Sequence, residues 1–318
     1  MLIDDAGHAG RLTQWGQRLS AAWESDLAYS FRATPMAVAS ALILLIVALT
    51  AFLAPLIAVQ DPYDLTQLFL DQAELPPVWN EEGMAPYVLG TDVQGRDVLS
   101  AILYGSRVSL LIGFASVIAS MTIGIAVGLI CGFAGGHVDN ILMRIGDFVL
   151  SIPTLLVAIL VSAVFRELLP VNLRDSFAPV ILTASIAITS WVQYARIVRA
   201  SAMVEARKEY VLAARILEVR TPRILLTHIL PNVMTAVLVT ATLNLGLAIL
   251  AEATLSFLGV GMPVTQPSLG TLIRIGNQYF FSGSWWVVLF PAFQLGLIIL
   301  AVNLLGDWLR DALNPKLQ

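Results

Sequence analysis

The sequence predicts an all-α membrane protein with six transmembrane helices, and three observations predict it. Of 318 residues, 58% are apolar and only 13% are charged, against about 45–50% and about 25% in soluble domains. Mean hydropathy is +0.81. The apolar residues gather in six charge-poor blocks, at 36–59, 109–133, 141–165, 177–198, 232–257 and 285–309. Each block is long enough, at about 1.5 Å per residue, to cross a hydrocarbon layer of about 30 Å.

Residues 1–35 carry charges throughout and hold no short apolar core ahead of a small-residue cleavage site. No removable signal peptide is read there, and the block at 36–59 stays as an anchor. In this tail Leu12, Trp15, Leu19, Trp23 and Leu27 recur at helical spacing. They predict an amphipathic helix lying on the inner leaflet or against a partner subunit. With the N-terminus placed in the cytoplasm, the inner segments hold 13 of the 18 Lys and Arg residues; Arg96, Arg107, Arg166, Arg174 and Arg274 are outer. Both termini, including the tail at 310–318, are therefore expected to be cytoplasmic. The extracytoplasmic segment 60–106 contains eight acids, which suits a contact for a binding protein, a cap over a cavity or a solvated spacer.

The core at 107–309 carries the informative residues. Ser116, Ser120, Gly124, Gly128, Gly132 and Gly136 recur every four residues. They form one small-residue helix face, a packing seam with glycine hinges as the alternative. Arg144 and Asp147, three apart at the start of the third block, are expected to pair on one helix face. Pro153, Pro231 and Pro291 should bend their spans. Glu252 lies among Ile249, Leu250, Ala253 and Leu255 with no basic residue at helical spacing. It must face an aqueous cavity, a neighbouring subunit or a hydroxyl partner, so pathway lining and structural hydrogen bonding both stay open. Trp285, Trp286 and Trp308 fall at the ends of the last block, where an aromatic belt belongs.

Between the fourth and fifth blocks, residues 199–231 hold six basic and three acidic residues. Strong helix formers from Arg207 to Leu217 predict one short helix. Thr221 and Pro222 read as the N-cap and first residue of a second.

Composition also excludes several classes. A net charge of −4 offers no field for nucleic acid, and His8, His137 and His228 are too dispersed to suggest a metal cluster. Cys131 has no partner for an intramolecular disulfide. The only lysines are Lys208 and Lys316, and neither completes a Gly-Lys-Ser/Thr phosphate loop, so any driving nucleotide must bind another chain.

Several motifs then match a known pattern in order. Glu209-Tyr-Val-Leu-Ala-Ala-Arg-Ile-Leu-Glu218 followed by His228-Ile-Leu-Pro-Asn232 resembles the coupling loop of permeases in binding-protein-dependent ABC importers. Leu89-Gly-Thr-Asp-Val-Gln-Gly-Arg-Asp-Val-Leu-Ser100 with Tyr104-Gly-Ser-Arg-Val-Ser-Leu110 resembles the signature of the C-type permease of dipeptide, oligopeptide and nickel importers. Arg144, Asp147 and Leu150-Ser-Ile-Pro153 match that family's third span, and Glu252 with Leu255-Ser-Phe-Leu-Gly259 its fifth. Asn303-Leu-Leu-Gly-Asp-Trp-Leu-Arg-Asp-Ala-Leu-Asn-Pro315 matches its C-terminal end.

The resemblance implies a type I importer permease in a bacterial cytoplasmic membrane, paired with a B-type permease. It also implies two ATPase subunits carrying ATP and Mg, an extracytoplasmic solute-binding protein, and no catalytic role or cofactor in this chain. Docking on the ATPase is assigned to Glu209, Tyr210, Leu212, Ala213, Ala214, Arg215 and Glu218. Di- or oligopeptides are the expected solute, with nickel chelates, glutathione and opines as alternatives. From the residues alone, an ion-coupled transporter using Glu252 or a structural assembly subunit are the competing classes. The loop departs from the family at two positions: Leu212 replaces the acid of the Glu-Ala-Ala triplet, and Glu218 replaces a glycine. A left-handed turn strains any residue but glycine, so the helix is expected to continue towards Thr221 instead.

Overall fold

The structure is a computed structural model that describes residues 26–313. The tail positions Leu12, Trp15, Leu19 and Trp23 and the terminal Asn314, Pro315 and Lys316 lie outside the described residues. Helices α1 (Asp26–Ala33) and α2 (Pro35–Phe52) meet at Thr34, whose extended backbone is what a following proline imposes. A short α3 (Ala54–Ile57) extends the first span. The 37-residue α4 (Val98–Ala134) starts at Asp97, whose carboxylate caps the Ser100 amide at 2.8 Å.

The third block is two helices, α5 (Gly136–Ser151) and α6 (Thr154–Leu168), bent by 97° across Ile152 and Pro153. A bend at Pro153 was expected, but a turn this sharp makes the block a broken span. Next come α7 (Val171–Glu205), with Pro179 inside it, and α8 (Glu209–Ile216). After α8, α9 (Thr221–Ile224) runs through one wide turn at Leu225–Ile229 into α10 (Leu230–Phe257). The second short helix expected in the loop is thus the first turn of a long rod, and Arg220, not Thr221, takes the N-cap place. Helix α11 (Leu269–Tyr279), capped by Ser268, lies in the connection between the fifth and sixth blocks; α12 (Trp286–Ala312) is the last described helix. Among the described residues, five helices or rods are long and apolar enough to cross a membrane, and the bent α5–α6 pair would make six.

The small-residue row is the tightest seam of the bundle. A Cβ on Gly124 would sit 2.4 Å from the Tyr194 Cβ, on Gly128 2.6 Å from the Ala195 carbonyl oxygen, and on Gly132 2.7 Å from the Ala202 Cβ. These glycines let α7 lie directly on α4, gaining dispersion contacts that lipid does not supply. Gly136, the last of the row, belongs instead to a turn in which Gly135 and Gly136 both take positive φ with open space around them.

Two buried apolar clusters hold opposite ends of the bundle. One joins Val98, Ile102, Ile249, Leu269, Leu272, Trp286 and Ile298. The other joins Leu129, Val198, Val211, Ala214, Ile224, Ile229 and Val233. Over the first end, segment 60–97 folds as a cap. The Asp92 carboxylate accepts the amides of Gln94 (2.8 Å) and Arg96 (2.9 Å) in a turn that Gly95 completes at φ 76°. The Trp286 indole donates to the Thr91 carbonyl at 3.0 Å, and Ser284 donates to Glu74 at 3.2 Å. Burial pushes the Asp92 carboxyl up and the Arg96 guanidinium down from their ordinary ranges.

Candidate functional site

At the end of the bundle opposite that cap, α8 stands between the ends of α4, α7 and α10. Its sequence alternates between two faces. Val211 and Ala214 turn inward and are buried in the cluster with Ile224 and Ile229. Leu212, Ile216 and Leu217 turn outward, 45%, 81% and 77% exposed, with Glu209 and Ala213 also exposed. Ala214, assigned to docking from the sequence, is 6% exposed and packs within the chain's own core.

Tyr210 ties α8 to both neighbouring rods. Its hydroxyl donates to the Glu205 carboxylate at the end of α7 and accepts from Asn232 Nδ2 of α10 at 3.2 Å. Its ring lies nearly parallel to the His228 ring, centroids 6.4 Å apart. Partial burial, then the Glu205 carboxylate, push the Tyr210 hydroxyl up to about 12. The Arg215 guanidinium lies 4.3 Å from the centre of the Phe133 ring at the end of α4. This cation–π contact adds a third tie.

Glu218 corrects the expectation of a continued helix. It takes the left-handed conformation itself, φ 54°, and α8 stops at Ile216. The Val219 amide reaches the Ala214 carbonyl and the Glu218 amide reaches that of Arg215, both at 3.0 Å, a complete Schellman motif. Helix α10 ends with the same bonds, Val260 to Leu255 and Gly259 to Ser256, but with glycine in the left-handed position at φ 84°.

The expected Arg144–Asp147 pair does not form. Asp147 binds Arg196 of α7 at 2.6 Å, and Arg199 of α7 binds Asp139 of α5. Arg144 is exposed. The reason is tertiary: α5 lies against α7, and arginines on that rod meet both acids of α5.

Glu252 is 0% exposed and its partners are hydroxyls. Ser109 of α4 donates to Oε2 and Ser256 to Oε1, both at 2.7 Å. Each serine in turn accepts a backbone amide, Leu269 at 3.3 Å and Met262 at 3.0 Å. One carboxylate thus joins α4, α10 and the start of α11. The hydroxyl partner that the sequence left open for Glu252 is thus present twice.

A cavity of about 290 Å³, missed from the sequence, opens among α4, α6, α7 and α10 at the elbow of the broken span. Thr154, Thr189, Gln193, Tyr194 and Asn244 line it between apolar side chains, and no charged residue does. A signal was present: Gln193 is the one amide in block 177–198, and Asn244 stands alone in the interior of block 232–257.

The amino-acid sequence matches known families over most of its length. Residues 124–318 match the family described as binding-protein-dependent transport system inner membrane component. The chain belongs to that family. In this permease, residues 23–77 also match the N-terminal transmembrane domain of oligopeptide transport permease C. The permease is 39% identical to the di/tripeptide transport system permease protein DppC of Pseudomonas aeruginosa, over 91% of each chain. To the dipeptide permease DppC of Haemophilus influenzae it is 39% identical, over 91% of this chain and 94% of that one. To the oligopeptide permease OppC of Bacillus subtilis it is 36% identical, over 98% and 96%. The permease is thus a multi-pass membrane transport subunit of the C-type, as the motifs in segments 89–110 and 209–232 led one to expect.

Proposed function

We propose that this permease forms half of the inward pathway for di- or oligopeptides across a bacterial inner membrane, pairing with a B-type permease. ATP and Mg are bound and ATP is hydrolysed on two partner ATPase chains, while an extracytoplasmic binding protein delivers the solute. In this reading the end carrying α8 faces the cytoplasm and the cap over 60–97 faces outward, in line with the Lys and Arg distribution. The relatives' names support the solute class.

The observation that carries the reading is the outward edge of α8. Leu212, Ile216 and Leu217 are exposed on a helix whose other face is locked to three spans. A protruding apolar edge on a rigid mount suits a groove on a motor subunit, because force applied there moves the rods and is not lost in a flexible loop. Leu212 and Ile216 with Ala213 form the contact; Tyr210, Ala214 and Arg215 hold it in place, and Glu209 and Glu218 bound it.

The test is co-purification of the ATPase pair with tagged permease. Ile216→Asp places a charge at the centre of the edge and should lower ATPase recovery by at least about tenfold, since burying an unpaired charge is strongly unfavourable. Recovery equal to the unaltered permease, with the B-type partner still bound, would remove this face from the interface.

A further inference from the structure

The cavity at the elbow of the broken span has the chemistry of a ligand site without an assigned ligand. Tyr194 is 1% exposed, and its hydroxyl faces the Asn244 amide of the neighbouring rod, neither group finding another partner among the described residues. A hydroxyl and an amide that meet only each other keep further hydrogen-bonding capacity open to an occupant of the cavity. Gln193, an exposed amide within an apolar span, lines the same space.

We infer that this cavity is a transit site that reads the peptide main chain of the passing solute. The inference rests on the importer reading above. The polar lining is amide and hydroxyl throughout, groups that both donate and accept, as a main-chain amide does. Charged side chains are missing from the lining, and this matters as much as what is present. In a low-dielectric span a fixed charge would hold solutes of one sign and repel those of the other. A neutral amide lining binds the part all peptides share and discriminates little among their side chains. Its volume, about 290 Å³, sits at the lower edge of small-molecule pockets, about 300–1,000 Å³. It therefore suits a short segment of extended peptide.

The test uses the full complex with its binding protein in proteoliposomes at pH 8, taking up three tripeptides of equal length, one cationic, one neutral and one anionic. The readout is the ratio of cationic to anionic uptake within one preparation, which cancels differences in assembly. Asn244→Asp and Gln193→Glu change charge with little change in size. Each should raise that ratio by at least about tenfold over the unaltered complex, as expected for a charge met at close range in a poorly screened cavity. Thr122→Val, on an exposed position of α4 outside the cavity, should leave it unchanged. A ratio within about twofold of the unaltered complex in both variants would overturn the inference, because a contacting charge must discriminate. Equal loss of all three tripeptides in both variants would also overturn it, since the charge would then act on folding and not on the solute. If the unaltered complex takes up no peptide, the importer reading itself fails.

Discussion

Replacing Glu252 separates a structural carboxylate from a transport group. In Glu252→Ala, Ser109 and Ser256 each lose an acceptor at 2.7 Å inside a site with no solvent access. Leaving a buried donor unpaired costs roughly 1–3 kcal/mol, and the emptied space adds a cavity penalty that partial collapse reduces. The total is about 3–5 kcal/mol, which corresponds to a fall of roughly 6–20 °C in Tm at about 2–4 °C per kcal/mol. Glu252→Gln keeps the volume and one carbonyl acceptor. Its NH2 group must face a serine oxygen that already accepts a backbone amide but has a second lone pair, so the loss is about 1–2 kcal/mol. The assay is thermal unfolding of the purified permease heterodimer, followed by peptide uptake in the reconstituted complex. The expected order is unaltered, then Gln, then Ala, with substantial uptake retained by Gln. A Gln variant of normal Tm and abolished uptake would refute the reasoning, because Glu252 would then be serving transport through its ionisation.

Two further substitutions test the packing and the loop. Glu218→Gly relieves a left-handed residue, and after the added flexibility of the unfolded chain is subtracted the net gain is about 0.5–1 kcal/mol. Hydrogen exchange at the Val219 amide, bonded to the Ala214 carbonyl, should slow by roughly two- to fivefold. Faster exchange would contradict the Schellman geometry. Gly128→Val places side-chain carbon where the Ala195 carbonyl oxygen already stands 2.6 Å from a single Cβ. Separation of α4 from α7 should reduce the yield of folded permease by at least about tenfold, as overpacking by more than one methyl group costs several kcal/mol. Normal yield and Tm would show that the seam can open.

Much of this molecule is written locally. Block length and the scarcity of charge determined the spans, because a bilayer admits only backbones that satisfy their own hydrogen bonds. The Asp97 carboxylate caps the Ser100 amide three residues on, a contact within one helical turn, and the four-residue row from Ser116 to Gly132 marks a face before any partner is known. These are properties of one helix and its solvent. Helix α11 was also legible, with Ser268 as cap and Leu269, Leu272 and Ile275 on one face, but it is too short to stand out beside the spans.

Tertiary structure decided whatever depends on residues distant in the chain. Asp147 has Arg144 within helical reach and binds Arg196, because i, i+3 spacing identifies neighbours on one rod and says nothing of the rod packed against it. Glu252 meets Ser109 only when α4 and α10 lie side by side, and Glu218 holds a strained turn because Val211 and Ala214 are anchored in a core built from other helices. The cavity was hidden for the same reason: Gln193 and Tyr194 on α7 and Asn244 on α10 are ordinary polar residues of two distant segments until a 97° elbow at Pro153 leaves the space between them unfilled.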